Sequence, residues 1–263
     1  MSRLLLGVGI LLITASCARA GPGRAASVED LVRAYPDHLE RIEGNAIIWR
    51  DGTRMTIDDG AGKKDFAILL DHPDVKDMFA IPYTPGPLQR APGVDEDPGR
   101  IRYEPLFLKM YGDCRNGEVQ HHMRSVDWLP GSGGGTVRVT DVNQVAKHLQ
   151  AVVHDLEELP VALTKYLVPS AGTFNCRTIA KTNRRSMHSY AAAIDINTRF
   201  ADYWQWTKPV EGTIPYRNQI PFAIVDAFER HGFIWGGKWY HFDTMHFEYR
   251  PELLPETDSK DER

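Results

Sequence analysis

The strongest constraint on this fold is one long amphipathic stripe. Val142, Val145, Ala146, Leu149, Val152, Val153 and Leu156 recur at the i, i+3, i+4, i+7 spacing that lays apolar side chains along one face of a helix. Thr140 or Asp141 is placed to cap its start, and Pro160 marks its end. Such a helix needs an apolar surface to cover, and the other regular stretches are short. Ala192–Asn197 and Thr244–Tyr249 read as strands, and Pro221–His231 as a second helix stopped by Gly232. Asn45–Trp49 and Thr53–Ile57 flank Arg50-Asp51-Gly52, a hairpin signal, and Ser27 is placed to cap a helix over Val28–Tyr35. Helices mixed with short strands predict an α+β fold: a small antiparallel sheet flanked by helices, plus an N-terminal extension.

The first twenty of the 263 residues predict an export signal. Arg3 precedes an apolar or glycine run from Leu4 to Ile13, and Ala18-Arg19-Ala20 offers a small-x-small cleavage site. The run is too short to span a bilayer, which takes about 20 residues. A rival cut before Cys17 would yield a lipid-anchored protein, although Thr14 stands where such sites usually carry Leu. Removing residues 1–20 takes Arg3 and Arg19 and no acid, so the net charge moves from −4 to −6. An acidic chain has no excess of cations to pair with a phosphate backbone, which argues against a nucleic-acid partner.

The mature part then divides into an N-terminal extension over 21–130, with helix and hairpin, and a second region over 131–255. A charged tail, 256–263, reads as disordered. Residues 82–100 hold five prolines and three glycines and predict an irregular loop crossing the surface. Pro130–Gly135 is glycine-rich but lacks the Gly-Lys-Ser/Thr ending of a phosphate loop, so it reads as a flexible connection before the strand-like 136–139. Two cysteines remain after export, Cys114 and Cys176. An oxidising compartment favours a bridge between them over two buried thiols.

The chemistry is concentrated in Ser186-Met-His188-Ser-Tyr-Ala-Ala-Ala-Ile-Asp195 and His241-Phe-Asp243-Thr-Met-His246-Phe-Glu248. His188, Asp195 and His246 offer the imidazole nitrogens and carboxylate oxygen of a catalytic zinc site, which takes three protein ligands and leaves one position open. Residues 188 and 195 have opposite strand parity, so the chain must turn between them for both to meet one metal. Asp243 is a candidate base for a metal-activated water, and Arg177 a candidate for polarising a carbonyl or holding a carboxylate.

Ser-x-His-x-x-(small)-x-Ala-x-Asp, followed by Trp235-Gly-Gly-Lys-Trp239 and Asp-x-x-His-Phe-Glu, resembles the zinc D-alanyl-D-alanine metallopeptidases. That family includes D,D-carboxypeptidases, D,D-dipeptidases and L-alanyl-D-glutamate endolysins. The resemblance runs from about Cys176 to Pro251. It implies Zn2+ on His188, Asp195 and His246, Asp243 as the catalytic carboxylate, Arg177 at the substrate or oxyanion, and Ser186 near the substrate. Asp243 in that position is similar to the endolysin-like branch. The family usually has Gly where this chain has Ala191, a change of consequence only if the backbone there needs a positive φ. The implied function is an exported peptidase, periplasmic or secreted, acting on peptidoglycan stem peptides; the extension would shape its substrate groove.

Two other readings are open to the same residues. One is a module that keeps the metal for binding without catalysis; the other is a non-haem iron oxygenase, since two His and one carboxylate also describe a facial triad. Asp243 argues against the first, and the long ligand spacing with prominent helices against the second. His121-His122 would point to opposite faces if in a strand, and His241 reads more readily as a surface residue than as part of the site. Trp235 and Trp239 suit core packing as well as a groove, Tyr190 suits either role, and the basic cluster Lys181, Arg184 and Arg185 reads more readily as solvated loop charges than as an attractor of acidic wall peptides.

Overall fold

The computed structural model describes residues 24–255. The expected export signal with Cys17, and the charged tail, lie outside the described residues. The chain opens with α1 (Val28–Ala34), where the Asp30 carboxylate accepts from the Ser27 backbone N–H at 2.8 Å. A meander follows, β1 (Leu39–Ile42), β2 (Ala46–Trp49) and β3 (Arg54–Thr56), antiparallel throughout with the expected turn around Asp51-Gly52. After α2 (Phe66–Asp71), α3 (Glu104–Tyr111) and α4 (Glu118–His121), β4 (Met123–Asp127) and β5 (Thr136–Thr140) form a hairpin whose turn is the glycine-rich 130–135. Then come α5 (Val145–Glu157), β6 (Ala193–Asp195), α6 (Phe222–Glu229), β7 (Phe233–Trp235) and β8 (His246–Tyr249). The last three strands form an antiparallel sheet with β8 in the middle, order β6-β8-β7.

The stripe along α5 does what its spacing implies: Val145, Ala146, Leu149, Val152, Val153 and Leu156 are all buried, against β4 and α6. The helix starts later than Val142, because Asn143 and Gln144 take left-handed backbone angles. The Thr140 hydroxyl therefore accepts from Val142 N at 3.2 Å and serves the preceding turn, not the α-helix. The apolar core is continuous from end to end. Leu31, Ile47 and Trp49 of the extension share it with Phe107, Val139, Leu149, Ile194 and Phe247.

Alternation in the β6-β8-β7 sheet separates two kinds of surface. Ile194 lies opposite Phe247, and the Phe247 ring stacks on Phe228 of α6 at 3.8 Å between centroids. On the other face, Asp195 lies opposite His246 and Ala193 opposite Glu248. This polar face is covered by the segment expected to cross the surface. Residues 82–100 are irregular, but Asp97, Pro98 and Gly99 are buried. Carbonyls of this segment take up donors from residues 239–250: Trp239 Nε1 to Pro98 O and Arg250 Nη1 to Gly99 O, both 2.7 Å, and Tyr240 N to Glu96 O at 2.9 Å. A backbone without regular pairing is satisfied there by two side chains and one backbone N–H from far along the chain. Cys114 and Cys176 are bridged, S–S 2.02 Å, tying the end of the α3 region to the chain just ahead of Arg177.

Ala191 has φ 53° and ψ 29°, the left-handed region, and is fully buried. Holding a non-glycine there costs about 1–2 kcal/mol. The Ala191 methyl belongs to a small apolar cluster with Cys114, Val119 and Met123. Burying it contributes about 0.8 kcal/mol, and alanine forgoes the ~0.5–1 kcal/mol of extra chain entropy that glycine would lose. These terms nearly cancel. Ala191→Gly should therefore shift stability by less than about 1 kcal/mol in denaturant titration, while Ala191→Val, branched in a backbone region it cannot enter and overpacked, should lose about 2 kcal/mol or more.

Candidate metal centre

Local rules bring His188 and Asp195 together. Ser186 is extended, and its hydroxyl accepts from His188 N at 3.3 Å, capping one 3₁₀ turn over Met187–Tyr190. Left-handed Ala191 ends that turn, and β6 begins two residues later at Ala193 and ends on Asp195. This is the reversal that strand parity demands. Register then sets His246 of β8 directly across from Asp195. His188 Nε2 lies 3.1 Å from His246 Nδ1 and 3.1 Å from Asp195 Oδ1, and the last two atoms are 3.0 Å apart.

The outer nitrogens decide what this triangle contains. His188 Nδ1 is 3.0 Å from the Thr173 carbonyl, which only accepts, so Nδ1 carries the proton and Nε2 is bare. His246 Nε2 is 2.9 Å from Glu248 Oε2, another acceptor, so in the neutral ring Nδ1 is the bare nitrogen. Two nitrogen lone pairs and a carboxylate oxygen thus converge, an arrangement that repels itself unless a cation sits between them. Tetrahedral zinc at ~2.0–2.1 Å from each ligand implies ligand–ligand edges of roughly 3.3 Å, a few tenths wider than this triangle. The donor set and its spacing fit zinc. In the absence of a cation a proton takes the role: burial by itself disfavours the imidazolium, but hydrogen bonds and charge from Asp195 and Glu248 win, raising the His246 pKa to about 10.

Asp243 borders the same small cavity as Arg177, Ser186, His188, Asp195 and His246. Its Oδ1 is buried without a hydrogen-bond partner. Burial first, and the Asp195 charge second, push its pKa up to about 6. The Trp-Gly-Gly motif sets its position: Asp243 N donates to Gly236 O at 3.0 Å, and a Cβ on Gly236 would stand 2.6 Å from Asp243 O. Arg177 is exposed at the rim, where its guanidinium reaches the Thr178 carbonyl at 3.5 Å.

Several residues of the site were not singled out from the sequence. Glu248 is fully buried, orients His246, and is held ionised below the usual carboxylate range; burial opposes this, and Arg102 and the other neighbouring donors overcome it. Arg102 grips both its oxygens, and Arg250 Nη1 lies 3.1 Å from Oε1. The His246-x-Glu248 spacing in a strand is the signal that points to it, because i and i+2 share a face. Asp97, fully buried, accepts from His241 at Nδ1 (2.6 Å) and at the backbone N–H (2.9 Å). His241 is thus a held residue of the cavity wall and not a free surface histidine. Nothing in the sequence near Asp97 or Arg102 hints at these partners.

Other expectations need correction or placement. Arg185 is not a solvated charge: it is buried against Glu104 (2.9 Å) and Asp113 (2.7 Å). Trp235 and Trp239 are buried, with Trp239 also bordering the cavity, and Tyr190 packs with Phe107 and Tyr111. His121 and His122 lie at the end of α4 and in no ligand cluster among the described residues. A second acidic group, Asp58, Asp59 and Asp74, has the Lys64 ammonium 2.7 Å from Asp59 and 3.6 Å from Asp74.

Residues 180–249 match the family model described as D-alanyl-D-alanine carboxypeptidase, a zinc-dependent peptidase family. The matched segment contains His188, Asp195, Asp243, His246 and Glu248, and Arg177 lies just ahead of it. No curated protein and no solved structure matches the chain.

If the triangle holds zinc, the metal stabilises the folded state alone, by about 4 kcal/mol at a free concentration a thousand times Kd. Zinc should raise the melting temperature of the wild type and leave that of Asp195→Asn almost unmoved. A similar rise in both proteins would place the ion elsewhere.

Proposed function

We propose that this chain is an exported zinc peptidase that hydrolyses amide bonds in peptidoglycan stem peptides, of the D,D-carboxypeptidase or L-Ala-D-Glu endopeptidase type. The observation that carries the reading is the convergence of three bare ligand atoms beside a buried, partnerless carboxylate oxygen. The family match over the same segment supports it. His188, Asp195 and His246 would hold the metal. A zinc ion there supplies a Lewis acid that polarises the amide carbonyl and makes water nucleophilic near neutral pH.

The remaining work falls to the chain. Asp243 takes the proton from the attacking water as the C–O bond forms, then delivers it to the amine nitrogen as the C–N bond breaks. Its raised pKa suits both directions of transfer, since a strongly acidic carboxylate would accept the proton too weakly. Ser186 has its oxygen engaged as acceptor from His188 N, which leaves its O–H to donate to the peptide. Arg177, exposed at the rim, can reach a carbonyl or carboxylate of the bound chain. Export is supported by the charged, apolar and small-residue pattern of residues 1–20, with a lipid anchor at Cys17 as the rival, and by a disulfide, which persists in oxidising compartments. No helix among the described residues is long and apolar enough to cross a membrane.

Asp243→Asn should keep zinc and fold yet lose on the order of 10²–10⁴ in kcat. Mass spectrometry of defined muropeptides, zinc-loaded and chelated in parallel, reads both activity and the bond cut. Intact peptides with zinc bound would favour the non-catalytic binding module. The pH profile is a separate check. Only ionised Asp243 accepts a proton, so kcat/KM should fall as pH drops through its pKa. A cation beside a carboxylate lowers that pKa, so the acid limb should lie at or below about 6.

A further inference from the structure

Three clefts meet at Arg100. The one over the triangle is small, about 90 Å³, while the largest of the three, about 710 Å³, shares Arg100 and Arg102 with it. Five cationic side chains border this larger cleft, Arg100, Arg102, Lys181, Arg184 and Arg185, against two carboxylates, Asp71 and Glu104. Three of the five are committed elsewhere: Arg102 grips Glu248, Arg185 is bound by Glu104 and Asp113, and Arg100 reaches the buried Asp97 at 3.3 Å.

Arg184 is in a different position. Its Nε and Nη1 are buried and form no hydrogen bond within the described residues. The acid beside it, Asp71, stands 3.4 Å from Nε, out of hydrogen-bond alignment, and its own side chain is 59% exposed. Burial, with the positive charges of Arg100 and Arg102 beside it, destabilises the guanidinium's charged form. The same cleft is bordered by Tyr190, 1% exposed, whose hydroxyl also lacks a partner. Two donors of a partly exposed guanidinium, whose one acid neighbour is itself largely in solvent, and one buried hydroxyl are left without hydrogen-bond acceptors beside two further arginines, and an anion would supply them.

We propose that this cleft is a carboxylate subsite: it holds a free carboxylate that the peptide substrate carries away from the cleaved amide, on the guanidinium of Arg184, within the positive field of Arg100 and Lys181. The inference rests on the peptidase reading above and narrows its substrate class to acidic peptides. A carboxylate is acceptor-only and planar, the match for unfilled guanidinium donors. Arg100 is shared by this cleft and the one over the triangle, so a single extended peptide can occupy both. Because Arg100, Arg102 and Glu104 come from the N-terminal region, that region would select the substrate.

The test uses two synthetic peptides with the same cleavable bond, one bearing a free carboxylate two or three residues from it and the other the carboxamide there. Binding is measured by calorimetry on zinc-loaded full-length Asp243→Asn, and turnover on the wild type. The acid should bind at least about tenfold more tightly than the amide, as a charge-assisted hydrogen bond implies. Adding Arg184→Met should abolish that preference while leaving amide binding and the melting temperature unchanged or higher; Arg184→Lys should restore part of it. Equal binding of the two peptides, or a preference that survives Arg184→Met, overturns the subsite. A melting temperature several degrees lower in Arg184→Met would assign Arg184 to structure and overturn it too. Preferential binding without cleavage by the wild type would keep the subsite and reject the peptidase.

Discussion

Two bare imidazole nitrogens and a carboxylate oxygen, each about 3 Å from the others, repel one another unless a positive charge lies between them. The surroundings hold them in that position all the same. Thr173 fixes the His188 tautomer from outside, Glu248 fixes that of His246, and antiparallel register fixes Asp195 opposite His246. Each restraint comes from a different part of the chain, so the site is assembled by tertiary structure even though its residues lie in two short segments. Zinc binding would displace the proton that otherwise sits between them, which links metal affinity to pH and to folding stability.

Behind His246 runs a buried chain of charge. Glu248 is shared by Arg102 and Arg250, Arg250 also grips Glu252, and Glu252 accepts from Tyr35 at 2.6 Å. Buried ion pairs contribute little net stability against their desolvation cost, but removing one partner is strongly destabilising. Their effect here is to specify an arrangement. Tyr35 follows α1 and Arg102 precedes α3, so the N-terminal region is bound to β8 and the turn after it by Arg102 on Glu248 and Tyr35 on Glu252. With the shared apolar core, this makes the region a structural part of the site.

Asp243 and Arg184 illustrate how burial creates chemistry. An exposed carboxylate near pH 7 is ionised and weakly basic; sealed beside Asp195 with an unpaired oxygen, it becomes able to exchange a proton near pH 6. An exposed arginine is satisfied by water, whereas Arg184 has two donors shut off from it. In each case burial leaves polar atoms without the partners that water would supply.

Much was legible in the residues alone. The α5 stripe, the Asp51-Gly52 turn, the two short strands and the His188, Asp195, His246 set all follow from periodicities and residue chemistry that act within a few positions. Even the reversal between 188 and 195 was implied by strand parity, and the condition attached to Ala191 was met by its left-handed backbone. Glu248 was legible in principle through its i, i+2 relation to His246. The long-range partners were not. Asp97 on His241 and Arg102 on Glu248 join positions 144 and 146 residues apart, and the unpaired donors of Arg184 depend on what fails to approach. Local sequence determines how each segment turns and which face it presents; which charge meets which, and which is left without a partner, is settled only when distant segments pack and water is excluded.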